Sequence, residues 1–500
     1  MNTTIDVDEN VEHGEDGMTR HKLWLDGEWI QGTRTHTVRA PYSGKIIAVA
    51  EEADEALLER ALEAARNAQV PFRRTSRYLR SRLLAAMAQK IAERRSAFVS
   101  SIIDEAGKPH RLADIEVTRA IGTFTTGAEE AKRYAGNWIP VDVDASGRTY
   151  DAAQSFWVPR GPVLAITPFN FPLNLVAHKV VPALAIGAPI LVKSAPQTPG
   201  PARLLAEVFE AAANEVADAR ESIPLAALQT ITATNEVTGR AVKDPRIAVL
   251  TFTGSAAVGW SLQAAARGKR VALELGGNAA VIVHADADLA RAAARVAFGA
   301  FSYAGQICIS VQNVWVEESI ENQFRDLLAA EIAKLAVGDP RDESVLVGPL
   351  VDSRAADRVV SWIDEAVKNG AEPICAGRRE GNVLAPTVLG RPSEHLSIVR
   401  EEVFGPVVNL FSYRDVGQAI AAVNRSRYGL QMGVFTDSLR ISRQVIDEID
   451  AGGILINEVP TYRADNAPYG GVKDSGLGRE GVLYAMEEYS ERKTVIAFRG

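Results

Sequence analysis

Short apolar segments alternate with helical segments through most of this sequence, and that alternation restricts the fold more than any other feature. After Gly161 the segments GPVLAIT, APILVKS and IAVLTFTG have the length and composition of buried strands, and helical patterns separate them. A second series begins after Gly276 with AAVIVH and NVWVEE, each followed by a helical pattern. Buried strands joined by helices predict parallel sheets covered on both faces. The predicted fold class is α/β.

A chain of 500 residues is longer than one hydrophobic core usually supports, so more than one domain is expected. Residues 54–135 have a helical pattern, and LWLDGEWI predicts a hairpin around an Asp-Gly turn. The extended segments 148–158 and ERKTVIAFRG are predicted to form an arm that pairs with another subunit. Residues 1–20 are acidic and polar, which predicts a disordered tail.

Composition argues against several classes of protein. The net charge is -8 and no long basic run occurs, so a nucleic-acid partner is not expected. The most apolar stretch, 180–192, contains two prolines and is too short to span a membrane. Cys308 and Cys375 are the only two cysteines, which argues against a disulfide framework and a structural zinc site. Without a signal-peptide pattern, the sequence predicts a cytoplasmic protein with no metal.

Three short segments contain residue types that suit catalysis. Cys308 ends the segment GQIC, where a small and a polar residue precede a lone cysteine, although cysteine is most often a small buried hydrophobe. Glu274 ends a predicted strand at the ligand-binding edge of a parallel sheet, although it could equally be a solvated residue before a glycine turn. Asn170 lies between Pro168 and Pro172 and could donate to an oxyanion, or belong to a simple turn.

Taken in order, the motifs resemble those of the aldehyde dehydrogenase superfamily from about residue 23 onward. The matching segments are FNFP around Asn170, the Lys193 segment, FTGS at 252–255, ELGG at Glu274, GQIC, EEVFGP at 401–406 and PYGGVKDSGLGREG from Pro468. The resemblance implies a Rossmann-like NAD(P)-binding domain over 21–135 and 156–275, and an α/β catalytic domain over 276–460. It also implies a small β arm from 136–155 and 480–500, and a homodimer or homotetramer.

The resemblance also implies roles for single residues. Cys308 would be the nucleophile, Asn170 and the Cys308 backbone N–H would hold the oxyanion, and Glu274 would be the base that hydrolyses the thioester. The cofactor would be NAD or NADP, although the G-x-G-x-x-G fingerprint is absent. The residues implied in cofactor binding are Thr167, Pro168, Lys193, Pro196, Gly254, Ser255, Gly276, Glu402 and Phe404.

One departure from the family pattern concerns the choice between NAD and NADP. NAD-preferring members commonly carry a glutamate three positions after the lysine, whereas Lys193 is followed there by Pro196. Without that carboxylate nothing in the sequence repels a 2′-phosphate, and Lys193 would attract one. Use of both cofactors is therefore expected.

The substrate is expected to be a small polar or anionic aldehyde, of the succinic semialdehyde, sulfolactaldehyde or lactaldehyde type. The positions that face the substrate mouth in the resembled branches are occupied by Arg119, Phe171, Ile307 and Arg463. Arginines there would bind an anionic group, but both could instead form surface or intersubunit salt bridges. Two rival functions remain: a coenzyme A-acylating aldehyde dehydrogenase, and a non-catalytic protein with the same fold.

Overall fold

Five parallel strands form the centre of the first large sheet in the computed structural model, which describes residues 18–498. The eight strands of this sheet, in spatial order, are Gly476–Leu477, Arg270–Glu274, Val249–Thr253, Val163–Ile166, Ile190–Lys193, Leu228–Ile231, Leu23–Leu25 and Glu28–Ile30. The strands at both edges pair antiparallel. The central strands are buried on both faces, which explains their continuous apolar sequences.

The second large sheet has seven strands, six of them parallel. In spatial order they are Glu372–Cys375, Thr387–Gly390, Val407–Tyr413, Asn313–Glu317, Ala280–Val283, Gln431–Phe435 and Gly453–Ile456. Only Glu372–Cys375 pairs antiparallel with its neighbour. The two sheets confirm the predicted α/β class.

Helices cover both sheets and connect their strands. The α-helices of the described chain are Glu55–Arg74, Arg77–Glu93, Arg95–Ala106, His110–Arg133, Asn174–Ile186, Gly200–Val216, Asn235–Lys243, Ala256–Ala265, Leu289–Phe301, Glu321–Ile332, Ser353–Lys368, Ser397–Arg400, Val416–Asn424, Leu439–Glu448 and Val482–Glu488. The helical pattern predicted over 54–135 is thus divided into four helices. Ser76 caps the second of them by accepting from Leu79 N, and the left-handed Gly107 ends the third. No helix within 18–498 is long and apolar enough to cross a membrane.

Two three-stranded sheets lie outside the large ones. The strands Asn137–Ile139, Tyr150–Pro159 and Ser490–Phe498 form an antiparallel sheet from the segments predicted to make an arm. The strands Thr19–His21, Arg34–Arg39 and Ile46–Glu52 form the other. Most of the predicted tail, 1–17, lies outside the described residues, but its last two residues belong to the strand Thr19–His21. That strand pairs with Ile46–Glu52, so the ordered chain includes them.

The predicted hairpin forms as expected. Leu23–Leu25 pairs antiparallel with Glu28–Ile30, and Asp26 and Gly27 turn the chain with φ of 54° and 80°. A positive φ at both central residues is the geometry that favours Asp-Gly in two-residue hairpins.

The helix Asn174–Ile186 is buried along its whole length, and it places polar side chains inside the protein. Its N-terminal N–H groups are satisfied by a buried carboxylate, because Leu173 N and Asn174 N donate to Glu116 Oε1 at 2.9 and 3.0 Å. A negative group at a helix N-terminus is stabilising. The helix is therefore fixed at the end nearest Asn170.

Leu184→Ala tests how far stability depends on this helix, because Leu184 is fully buried. Truncating a buried leucine costs roughly 2–5 kcal/mol, so the thermal unfolding midpoint should fall by several degrees. Leu439→Ala is the matched control, since Leu439 is 85% exposed and the same truncation should change the midpoint little. Circular dichroism gives both midpoints. Equal thermal midpoints for the two variants would contradict the buried position of Leu184.

Candidate active site

Loops from both large sheets meet at one place. Asn170, just after the strand Val163–Ile166, donates from Nδ2 to the Gln306 carbonyl oxygen at 2.9 Å. Gly277, just after Arg270–Glu274, approaches the Cys308 carbonyl so closely that an added Cβ would lie 3.0 Å from it. Three predicted segments are thus brought together at the carboxyl ends of parallel strands, where α/β folds bind ligands.

The backbone just before Cys308 makes a sharp turn. Tyr303, Ala304 and Gly305 all have positive φ, of 53°, 52° and 70°. An added Cβ on Gly305 would lie 2.2 Å from the Gly405 carbonyl oxygen, so only glycine fits that approach. Strained backbone held by its surroundings is typical of functional sites. The prediction that Cys308 follows a close-approach turn is confirmed.

The Cys308 thiol has one polar side-chain neighbour within hydrogen-bond distance. Its Sγ lies 3.3 Å from the Tyr469 Oη. Burial raises the pKa of the Cys308 thiol to about 12, and the hydrogen bond from Tyr469 opposes that shift. Without a bound partner, Cys308 is therefore a protonated thiol. Cys375 is also unpaired and lies in an edge strand of the second sheet.

Glu274 is buried, and its environment favours the protonated acid. Burial raises the pKa of Glu274 well above its usual range, and the nearby negative charge of Glu480 raises it further. Among the described residues, no side-chain or backbone group hydrogen-bonds to its Oε2. Its Oε1 faces Gly470, where an added Cβ would lie 3.0 Å away. A carboxyl group with a raised pKa and a free oxygen is suited to accept a proton near neutral pH.

Glu480 is the ionised partner of this pair of carboxyl groups. Its oxygens accept from Lys179 Nζ at 2.8 Å and from the Arg463 guanidinium at 3.2 Å. Burial acts to raise the pKa of Glu480, but the Lys179 and Arg463 cations lower it to about 2. Two buried acids whose pKa values are pushed apart can hold different protonation states at the same pH.

Arg463 is a buried side chain in the loop after the second sheet. Its guanidinium lies 3.8 Å from the centre of the Tyr469 ring and also donates to His178 Nδ1 at 3.3 Å. Arginine carries only donors, so His178 Nδ1 must accept. Burial and the Arg463 charge lower the pKa of His178, which keeps the imidazole neutral.

Arg119 pairs with Asp465 within the chain. Its Nε and Nη2 donate to the two oxygens of Asp465 at 3.0 and 2.7 Å, and His178 Nε2 donates to the same carboxylate at 2.9 Å. Burial acts to raise the pKa of Asp465, but these two partners hold it well below its usual range. Both arginines thus form salt bridges within one chain, a partly exposed one at Arg119 and a buried one at Arg463.

Phe171 and Ile307, the apolar residues expected at the substrate mouth, lie on the two loops that flank Cys308. The buried Lys108 ammonium sits 3.4 Å from the centre of the Phe171 ring and pairs with Glu116. Burial lowers the pKa of Lys108 to about 8, against the effect of Glu116. Ile307 packs beside Cys308 against the cluster that contains Tyr469.

Glu402 and Phe404 lie against the glycine segment after Glu274. Gly277 N donates to Glu402 Oε1 at 3.3 Å, and an added Cβ on Gly276 would lie 2.1 Å from Glu402 Oε2. Burial raises the pKa of Glu402 to about 7, and the Gly277 hydrogen bond opposes it. Phe404 has φ of 46° and meets the Phe169 ring edge-on at 6.0 Å. A side chain at position 276 would therefore displace the Glu402 carboxylate.

Thr167, Lys193 and Gly254 lie at the ends of neighbouring strands of the first sheet. Thr167 N donates to the Lys193 carbonyl at 3.2 Å, and Gly254 N donates to the Glu274 carbonyl at 3.0 Å. Pro168 follows Thr167 on the Asn170 loop and is half-buried. Ser255 begins the helix Ala256–Ala265, and within the described chain no side chain caps that N-terminus.

The surroundings of Lys193 differ from those expected. Burial lowers the pKa of Lys193, and the negative charge of Glu52 opposes that shift. Glu52 also pairs with His36, which hydrogen-bonds to the Pro196 carbonyl at 2.8 Å. The negative charge of a carboxylate therefore acts on Lys193, although Pro196 stands where NAD-preferring members carry a glutamate. That carboxylate comes from a distant strand, so sequence spacing could not reveal it.

Several residues at the site were not identified from the sequence. These are Lys108, Glu116, His178, Lys179, Asp465, Tyr469 and Glu480. Tyr469 and Glu480 lie within the PYGGVKDSGLGREG motif, which marked the segment without indicating a role. His178 and Lys179 could have been identified from the sequence. They are adjacent titratable residues in an otherwise apolar helix, and such residues must have buried partners.

Comparisons with known proteins agree with this geometry. The sequence profile described as "Aldehyde dehydrogenase family" matches residues 29–495. A 3-sulfolactaldehyde dehydrogenase from Priestia aryabhattai is 38% identical over 479 residues, covering 95% of this chain and 98% of the relative. A lactaldehyde dehydrogenase from Methanococcus aeolicus is 34% identical over 475 residues, covering 95% of this chain and 99% of the relative.

Solved structures show the same fold. Aldehyde dehydrogenase 21 from Physcomitrella patens, in complex with the reaction product succinate, has a TM-score of 0.92 at 34% identity, covering 96% of this chain and 98% of that one. A glyceraldehyde-3-phosphate dehydrogenase from Methanocaldococcus jannaschii, complexed with NADP, has a TM-score of 0.89 at 34% identity, covering 93% and 100%.

The raised pKa of Cys308 predicts how its alkylation depends on pH. In a Cys375→Ser background, the rate of iodoacetamide labelling at Cys308 should rise about tenfold for each pH unit from 7 to 10, because only the thiolate reacts. Labelling followed by mass spectrometry gives the rates. A plateau below pH 9 would show a thiol that ionises far more easily than its burial allows.

Proposed function

We propose, since the chain belongs to the aldehyde dehydrogenase family, that it oxidises a small polar or anionic aldehyde to the carboxylate, with Cys308 as nucleophile. One observation carries the proposal. A half-buried cysteine on a strained turn lies beside the Asn170 loop, and the charge of Glu274, a buried carboxyl group with a raised pKa, acts on it. These are the nucleophile, oxyanion donor and base that acyl transfer needs.

In the first step, the Cys308 sulfur, as thiolate, forms a bond to the aldehyde carbon, and the carbonyl π electrons move onto the oxygen. An amide nitrogen carries two hydrogens, so the bond from Asn170 to the Gln306 carbonyl leaves one N–H for this oxyanion. The Cys308 backbone N–H is the second donor. Loss of one such donor typically costs about 10²–10³ in rate.

In the last step, water hydrolyses the thioester formed when the carbon is oxidised. Deprotonated Glu274 takes a proton from that water, the new C–O bond forms, and the C–S bond breaks to return the Cys308 thiolate. The raised pKa of Glu274 makes its carboxylate a stronger base than a solvated glutamate. A hydrolytic base at this position favours release to water over release to coenzyme A.

The residues of the first sheet fit a nicotinamide dinucleotide. The uncapped N-terminus of Ala256–Ala265, with Gly254 and Ser255, suits a pyrophosphate, and Lys193 suits the adenosine ribose. Glu402 and Phe404 would hold the nicotinamide end. When bound, NAD or NADP supplies the acceptor for the hydride that leaves the substrate carbon. One similar structure is complexed with NADP, which supports the choice of cofactor class.

The charges near Cys308 favour a substrate with one negative charge. Three cations, Arg119, Lys179 and Arg463, face two ionised carboxylates, Asp465 and Glu480. Over these five side chains one positive charge remains when His178 is neutral and Glu274 is protonated. The nearby Arg479 and Glu402 carry opposite charges when Glu402 is ionised. A single carboxylate or sulfonate neutralises the remaining positive charge, whereas a phosphate dianion brings an excess negative charge into a buried site.

The names of similar proteins support the same class of substrate. Two relatives are a 3-sulfolactaldehyde and a lactaldehyde dehydrogenase, and one similar structure holds succinate. We infer a short aldehyde of the sulfolactaldehyde, lactaldehyde or succinic semialdehyde type. The matched relatives and this chain cover each other almost completely.

We also propose the domain division and assembly that the resemblance implied. The cofactor-binding domain would comprise 21–135 and 156–275, the catalytic domain 276–460, and the arm 136–155 with 480–500. The arm sheet exposes Trp138, Ile496 and Phe498, which are 66%, 54% and 63% accessible. Exposed apolar residues on a small sheet favour burial against a second copy, hence a homodimer or homotetramer. Two free cysteines suit the reducing cytoplasm.

Cys308→Ser should lower kcat with NAD and lactaldehyde by at least about a thousandfold, because a serine hydroxyl at this site is a far weaker nucleophile than a thiolate. Cys375→Ser is the control and should keep the parental rate. Intact-mass spectrometry of quenched turnover should show an acyl adduct in the Cys375→Ser enzyme and none in Cys308→Ser. Parental activity in Cys308→Ser would refute the proposed function.

Arg463→Lys should reduce selectivity for anionic aldehydes. Lysine keeps a positive charge beside Glu480 but loses the planar guanidinium. We expect the ratio of kcat/KM for succinic semialdehyde to kcat/KM for butanal to fall about tenfold. Arg443→Lys, at an exposed position of the helix Leu439–Glu448, should leave the ratio unchanged. An equal decrease in kcat/KM for both substrates in Arg463→Lys would contradict the anion-binding role of Arg463.

A further inference from the structure

We propose that Tyr469 makes this enzyme selective for aldehydes with a hydroxyl group on the carbon next to the carbonyl, an inference that rests on the function proposed above. The Tyr469 Oη lies 3.3 Å from the Cys308 Sγ. After the sulfur attacks, an oxygen on that neighbouring carbon is three bonds from Sγ. It therefore reaches the region that the phenol hydroxyl occupies.

Apolar residues pack against one part of the Tyr469 side chain, and the Arg463 guanidinium lies over its ring. Ile309, Leu430 and Tyr469 pack as one buried cluster, and Ile307 and Cys308 pack against it. Tyr469 is only 5% exposed, so water has little access to the ring. A buried hydroxyl is costly to leave without a hydrogen-bond partner. A substrate group that lies next to the Tyr469 hydroxyl during turnover must therefore form a hydrogen bond with it.

The reaction itself weakens the hydrogen bond between Tyr469 and the sulfur. The thiolate that attacks is a strong, charged acceptor for the phenol O–H, and the Arg463 guanidinium 3.8 Å from the ring centre favours the phenol as donor. After attack the sulfur is bonded to two carbons and is only a weak acceptor. A hydroxyl on the adjacent substrate carbon replaces the lost acceptor, whereas a methylene leaves the Tyr469 hydroxyl unpaired.

Discrimination by a buried hydrogen-bonding group is usually stronger than discrimination by an apolar pocket. An apolar pocket gains little binding energy from one methylene. A site whose polar group is left without a hydrogen bond strongly rejects a substrate analogue that lacks the matching hydroxyl. The anionic end of the substrate would be held by Arg463 and Arg119, and Arg463 also lies over the Tyr469 ring. Two uncharged aldehydes therefore measure selection for the hydroxyl apart from selection for charge.

Tyr469→Phe tests the proposal with two aldehydes that differ only in this hydroxyl, lactaldehyde and propanal. Both are uncharged, so the contribution of the arginines cancels. The parent enzyme should prefer lactaldehyde in kcat/KM by about tenfold or more, and Tyr469→Phe should bring the ratio close to one by lowering the lactaldehyde value. Tyr413→Phe is the matched control, because it also removes a buried hydroxyl, the donor to the Val283 carbonyl at 3.2 Å.

Each outcome decides the matter. If Tyr469→Phe lowers kcat/KM equally for lactaldehyde and propanal, the hydroxyl acts on the sulfur or the oxyanion. The selectivity proposal is then overturned. An unchanged ratio in Tyr469→Phe, or no preference in the parent, also overturns it while leaving the proposed function intact. If the parent oxidises none of a panel of polar and anionic aldehydes with NAD or NADP, the proposed function itself fails.

Discussion

The buried carboxylate of Glu480 organises the catalytic groups, because an ionised carboxylate inside a protein needs cations placed directly against it. Lys179 and Arg463 provide them. Lys179 lies on the buried helix Asn174–Ile186 of the first sheet, and Arg463 lies in the loop after the second sheet. One carboxylate therefore connects the two halves of the site. Arg463 in turn stacks on Tyr469, which places the phenol beside Cys308.

The same carboxylate sets the protonation state of its neighbour. Burial and the Glu480 charge both disfavour ionised Glu274, while Glu480 itself stays ionised because cations contact it. The site thus holds a proton on one acid and a charge on the other. A thiol with a raised pKa beside a protonated acid is unreactive toward stray electrophiles. In this state, reactivity must come from binding of cofactor and substrate.

Much of the fold and the central residues could be predicted from the sequence. Buried strands have a composition of their own, so both sheets were anticipated, and the Asp-Gly hairpin follows from turn geometry. Cys308, Glu274 and Asn170 were found because each follows a strand or a tight turn within a short motif. The sequence did not reveal the ion-pair partners of Arg119 and Lys179. Arg119 and Asp465 are 346 positions apart, and Lys179 and Glu480 are 301 apart.

The sequence by itself determined the fold class and the candidate catalytic side chains, because strand composition, turn residues and short motifs are local properties of the chain. The tertiary structure alone decided the raised pKa of Glu274, the carboxylate charge that acts on Lys193 and the position of the Tyr469 hydroxyl next to the Cys308 sulfur. Each of these depends on burial and on charges brought from distant segments, and electrostatic interactions depend on distance in space, whatever the separation along the chain.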